Sequence, residues 1–301
     1  MSALSTLERR VFPDTPPARL AALRVLVGLF STIYLVSRPT DLAFFGQFAR
    51  SAFAPVGVVQ LLARPLPSAA CWALYGITLA ASAAATAGYR YRVSGPLWAL
   101  GLLWVTSYRN SWGMLFHTEN LLVVDALILA LAPASDAWSL DARSRDAKPL
   151  DPNPKYAWPV AAMNAALVAS YLAAAIAKLR LVGWGWASGD ELRAHIAFDA
   201  LRKIELGSMH SSIGAELVRH PWIFAPFAWL SLGFELAAPV ALLGGRIALI
   251  WSLGAWTFHL GVLLLMAIFF PYPLTGVAFA SLFPIERAFS RWFEGKQRAV
   301  G

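Results

Sequence analysis

Apolar runs long enough to cross a bilayer recur along the whole chain. A membrane-spanning helix needs about 20 apolar residues. Candidate runs lie at 19–37, 68–88, 94–112, 117–135, 157–178, 222–243 and 246–270, with a shorter one at 275–286 behind Pro271 and Pro273. Hydrophobic residues make up 58% of the 301 residues and charged residues 14%. A soluble domain carries about 25% charged residues, so the pattern disfavours a cytosolic globule, a coiled coil or a disordered chain. It predicts an all-α integral membrane protein, a bundle of about eight transmembrane helices in a single domain over residues 1–301, with no C-terminal soluble domain. The first apolar stretch begins near Leu20 after a polar leader and reads as a retained span. Residues 41–64 are apolar but broken by Arg50 and Pro55, so they read as an interfacial or re-entrant segment.

Basic residues orient the bundle. The net charge is +8, but the lysines and arginines sit in short connectors, which points to membrane topology and lipid headgroups and away from nucleic acid. With the N-terminus in the cytoplasm, 15 of the 25 basic residues fall in inner segments. They include Arg9, Arg10, Arg90, Arg92, Arg145, Lys148, Lys155, Arg291, Lys296 and Arg298. Both termini are therefore expected inside a multi-pass cell-membrane protein. In the outer stretch 179–221, Ser188 and Glu191 have capping-box spacing. Leu192, Ile196, Ala200 and Ile204 then follow as one stripe, predicting an amphipathic helix on the outer surface. The alanine-rich run 81–88 permits close helix packing. The single cysteine, Cys71, can form neither an intrachain disulfide nor a thiolate cage.

Polar groups at membrane depth are costly, and each is a functional candidate. Here they are Arg24, Arg109, His117, Glu119, Asp125, Lys178, Glu235 and His259. Lys178, at the outer end of the fifth run, reads two ways: a side chain snorkelling to the interface, or a desolvated general base. His117 and Glu119 read as a polar start to the fourth span or as part of a site. Asp125 needs a partner, which Arg24 or Arg109 could supply. Glu235 and His259 in adjacent spans could relay a proton or lock two helices. A metal site from His117 and His259 has no spacing motif behind it, and none is expected.

The order of these words resembles the HTTM (horizontally transferred transmembrane) family, the membrane part of vitamin K-dependent gamma-carboxylase. The likeness is carried by Ala22 to Leu35, by Arg90-Tyr91-Arg92-Val93-Ser94, and by Ser111-Trp112 with His117, Asn120 and Trp138-Ser139-Leu140-Asp141. Ala177-Lys178-Leu179 with Trp186 and Gly189 continues it, as do Phe234-Glu235 and Phe258-His259. It runs from about residue 15 to 285. The resemblance implies Lys178 and His117 as catalytic residues, and Trp112, Trp186 and His259 as binding residues for a reduced quinone (menaquinone or vitamin K-like). His117 stands five residues after Trp112, where the family word has three. The implied function is a quinol-dependent enzyme that modifies or matures a secreted peptide, working in membrane lipid. The alternatives are a non-catalytic assembly component with a co-encoded membrane partner, or a small transporter.

Overall fold

The computed structural model describes residues 12–144 and 150–290. Arg9, Arg10, Arg145, Lys148, Arg291, Lys296 and Arg298, used above for orientation, lie outside them. Among the described residues the chain is helical, without a strand. It divides into two compact units, Met1–Met163 with Pro284–Gly301, and Asn164–Phe283.

The first unit is built on α1 (Pro17–Ser37), α2 (Ser68–Ala87), α3 (Tyr91–Asn110) and α4 (Asn120–Leu131). Prolines stand in the first turn of α1 and just before α2, where a missing N–H costs nothing. Gly88 ends α2 at φ 66°, and Arg90 follows at φ 44°. The turn is pinned from afar: the Asp141 carboxylate accepts from the N–H groups of Arg90 and Tyr91 at 2.7 and 2.8 Å, satisfying the open donors of α3. Two of the sequence words, fifty residues apart, are thus one joint. Small residues let the helices approach closely. A Cβ on Gly28 would stand 2.4 Å from Thr86 Oγ1, and one on Gly101 would stand 2.4 Å from Thr78 Oγ1. Leu20, Leu23, Trp98, Leu102, Leu122 and Leu129 fill the core. The 41–64 segment folds as two short 3-10 turns, Arg50–Ala52 and Gly57–Leu61, and is tied to the end of α3 by Ala54 N–H donating to Ser111 O at 2.8 Å.

The second unit contains most of α5 (Ala157–Val182), then a 3-10 turn Gly183–Ser188, α6 (Asp190–Glu205), α7 (Ser212–Leu217), α8 (Phe224–Leu236) and α9 (Gly245–Met266). Gly189 sits at φ 86° where a Cβ would meet the Phe224 carbonyl carbon at 2.3 Å, so only glycine fits between α6 and α8. The expected capping box is absent. Gly189 is the cap residue of α6 and gives no side-chain bond, while Ser188 accepts from Asp190 N–H at 3.2 Å in a local turn. The stripe on α6 also shifts. Ile196 and Ala200 are buried, but Ile204 is exposed beside Phe198 and Leu201. Asp199 is buried against Lys203 at 2.8 Å, and Lys203 donates to Met266 O at 2.5 Å, closing the C-terminus of α9.

Among the described residues, four helical runs are long and apolar enough to cross a membrane: Pro17–Ser37, Ser68–Ala87, Pro154–Ser188 and Gly245–Met266. The remaining expected spans are not helices of that length and hydropathy. α3 has 20 residues but carries Arg92 and Arg109, α4 has 12, and α8 has 13 before Pro239 turns the chain into the 3-10 run Ala238–Leu243. The eighth run is a short turn, Pro271–Leu274, and a 3-10 piece, Val277–Leu282. This piece retraces α9. Trp256 Nε1 donates to Leu274 O at 2.9 Å, and Phe279 meets Trp251 at 6.3 Å. Irregular backbone is tolerated at membrane depth only where protein covers it, and Tyr272, Pro273, Phe279 and Ser281 are buried. Hydropathy sees such a passage but not its broken backbone. Elsewhere the helices expose leucine and isoleucine, including Ile33, Ile77, Ile250 and Leu253 at 59%, 53%, 71% and 57%. Faces of this kind suit lipid as the solvent.

Candidate functional site

The two units each enclose polar groups, and the two differ in kind. In the first, Arg24 is fully buried. Its guanidinium donates to Ala134 O and Ala85 O at 3.0 Å, to Trp138 O at 2.6 Å, and to Thr86 O. These carbonyls come from the last turn of α2 and the loop after α4, so the arginine staples helix ends. Arg109 pairs with Glu119 at 3.1 Å and lies over the Phe116 ring at 4.0 Å. Tyr34 donates to the same carboxylate at 2.8 Å. Neither arginine is turned to Asp125 in these bonds. His117 and Glu119 precede α4, which starts at Asn120. His117 is exposed in the loop after α3.

Trp112 stacks on Phe45 at 5.7 Å and meets Phe48, Phe53 and Tyr108. Phe45, Phe48 and Trp112 wall a cavity of about 280 Å³ together with Arg50, Ser68 and Cys71. Ring faces beside a guanidinium and a hydroxyl suit a planar ring that carries oxygen substituents.

The second unit holds Lys178. α5 has 26 residues, about 39 Å at 1.5 Å per residue. Its Tyr171, Ala175 and Lys178 repeat at helical spacing and share one face. Ala175 is fully buried, packing with Trp186, Ala228 and Leu232. On that face Lys178 Nζ meets both Glu235 carboxylate oxygens at 2.5 Å and lies 5.2 Å from the Trp186 ring centre. Side-chain exposure is 19% for the lysine and 2% for the glutamate. Two turns back, the Tyr171 hydroxyl and His259 Nε2 share a hydrogen bond of 2.9 Å. Phe234, Trp251, Phe258 and Phe270 box this pair in.

The expected residues thus divide. Lys178, Trp186 and His259 belong to one unit, Trp112 and His117 to the other. The partner of Glu235 is Lys178, and His259 is held by Tyr171. Sequence reasoning missed Tyr171, though its place seven residues before Lys178 put both on one helix face. It also missed the pairing of Glu235, for which only opposite charge in two apolar spans gave a sign.

The model of the HTTM domain family matches residues 12–285, nearly the whole chain. No curated protein and no solved structure matches it.

Proposed function

The chain belongs to the HTTM domain family, and from that premise we propose a gamma-carboxylase-like membrane enzyme in which Lys178 is the base. One observation carries the reading. A lysine at the end of a membrane-length helix keeps its amine between an indole face and a carboxylate, with a fifth of its side chain still accessible. A snorkelling lysine would extend its amine to the headgroups instead. The proposed topology keeps both termini in the cytoplasm and α6 at the outer leaflet, with Phe198 and Leu201 towards lipid. The proposed substrate is a secreted peptide, and His117 is retained as a second catalytic candidate.

The proposed cofactor is a reduced quinone. Trp112 in the first unit and Trp186 and His259 in the second are its candidate binding residues, each taken within its own unit. When bound, such a quinol supplies two electrons to dioxygen. His259, fixed by Tyr171, keeps α5 and α9 in register. The test is purification in mild detergent, mass spectrometry of bound lipid, and an oxygen-dependent quinol oxidation assay. Lys178→Ala should lower the rate at least about 100-fold, as for loss of a general base. Full activity in that variant refutes the assignment.

A second reading has its own support. Both carboxylate oxygens grip one amine between α5 and α8, which is also how an ion pair locks two helices in a non-catalytic assembly component. Co-purification of a membrane partner, with no bound quinone and no quinol oxidation, would favour it.

A further inference from the structure

The reading of Lys178 as a base meets a difficulty in the geometry itself. An amine that touches a carboxylate on one side and an aromatic face on the other is held as an ammonium, and an ammonium takes no proton. We propose that Glu235 is the positioning residue that sets the charge of Lys178, holding it as an ammonium at rest and taking up its proton while the amine works. This rests on the assignment of Lys178 as base and adds a role for its partner.

The step balances in protons, and no electron moves. At rest the pair is Lys178 ammonium and Glu235 carboxylate. The N–H bond facing Glu235 breaks and an O–H bond forms on the carboxylate, leaving a neutral amine and a neutral acid. The amine then takes a proton from a substrate O–H or C–H group, giving ammonium, carboxylic acid and substrate anion. Glu235, now neutral, no longer competes for the ammonium, whose charge is free to pair with the anion. The setting favours this exchange. Glu235 is buried, and Ala175, Ala228, Leu232 and Trp186 make an apolar wall, where a separated charge pair loses much of its advantage over a neutral one. Other titratable groups on the packed elements are Tyr171 and His259, bonded to each other, and His195, whose ring lies 6.0 Å from that of Trp186.

The test reads the amine itself. An amine-reactive acylating reagent attacks only the neutral form, so its rate on Lys178 in the full-length detergent-solubilised protein at fixed neutral pH reports the charge. Glu235→Gln, which keeps the shape and removes the proton acceptor, should raise the Lys178 labelling rate at least tenfold. Glu235→Asp, which keeps the charge, should stay within threefold of the natural protein. Equal rates in all three overturn the proposal, and so does an equal rise in Gln and Asp, which reports loosened packing. Should Glu235→Gln not fold, Lys178→Met gives the reciprocal reading. An infrared carbonyl band of a protonated acid should appear at neutral pH, and its absence overturns the proposal. The labelling result is independent of turnover. A tenfold rise with a fully active Lys178→Ala would remove the catalytic reading and leave the coupling. Flat labelling with an inactive Lys178→Ala would do the reverse.

Discussion

At the residue scale, Glu235 and Arg24 are buried charges with different kinds of partner, and each makes a different prediction. Leaving one member of a buried ion pair alone costs about 3–5 kcal/mol, while replacing both with apolar groups is close to neutral. Lys178→Met or Glu235→Leu alone should therefore lower thermal stability in detergent sharply, and the double variant should recover most of it. A double variant as unstable as the singles would mean that the pair does not act as one unit. Arg24 makes a contrasting case, because its partners are backbone carbonyls that no second substitution can remove. Arg24→Lys keeps the charge but loses the planar fork that reaches four carbonyls at once. It should destabilise nearly as much as Arg24→Ala. Recovery by lysine would show that charge, and not geometry, is what the helix ends require.

At the scale of elements, contact distances set the predictions. α1 and α2 meet at Gly28 and Thr86, and α2 and α3 meet at Gly101 and Thr78. Gly101→Ala should cost about 1–3 kcal/mol as an overpacked contact, and adding Thr78→Ala should return part of it, as measured by thermal unfolding of the two variants. Much at this scale was legible in the sequence. The runs at 19–37 and 68–88 became helices within two residues of those bounds, because proline and glycine stop signals are local. The segments at 222–243 and 275–286 were legible as apolar but not as broken. Pro239, Pro271 and Pro273 mark the breaks, yet only the packing of Phe279 on Trp251 shows how the chain passes α9 without a helix. The candidate site was legible by halves. Lys178 stood out as a charge in an apolar run. Its partner did not, because helical periodicity names the face of a helix and says nothing of which helix fifty-seven residues on will meet it. Glu235 lay one turn of reasoning from His259, and the structure gives it to Lys178 instead.

At the scale of the whole molecule, the sequence supplies its own means of testing which side of the membrane each connector occupies. Cys71 is the only cysteine and is buried, so the natural protein should resist a membrane-impermeant maleimide in intact cells and serve as its own background after Cys71→Ser. The topology proposed from the positive-inside rule puts the connector around Asp151 inside and the stretch around Met209 outside. Both side chains are exposed, so a cysteine at either would be reachable by reagent on its own side. Met209→Cys should react in intact cells, and Asp151→Cys only after the membrane is opened. The proposed chemistry depends on this result as well. The amine of Lys178 lies on the same side as Met209 in that topology, and a base that acts on a secreted peptide must face outward. If Asp151→Cys reacts in intact cells and Met209→Cys does not, the bundle is inverted. Lys178 would then face the cytoplasm, and a cytoplasmic substrate would have to replace the secreted one.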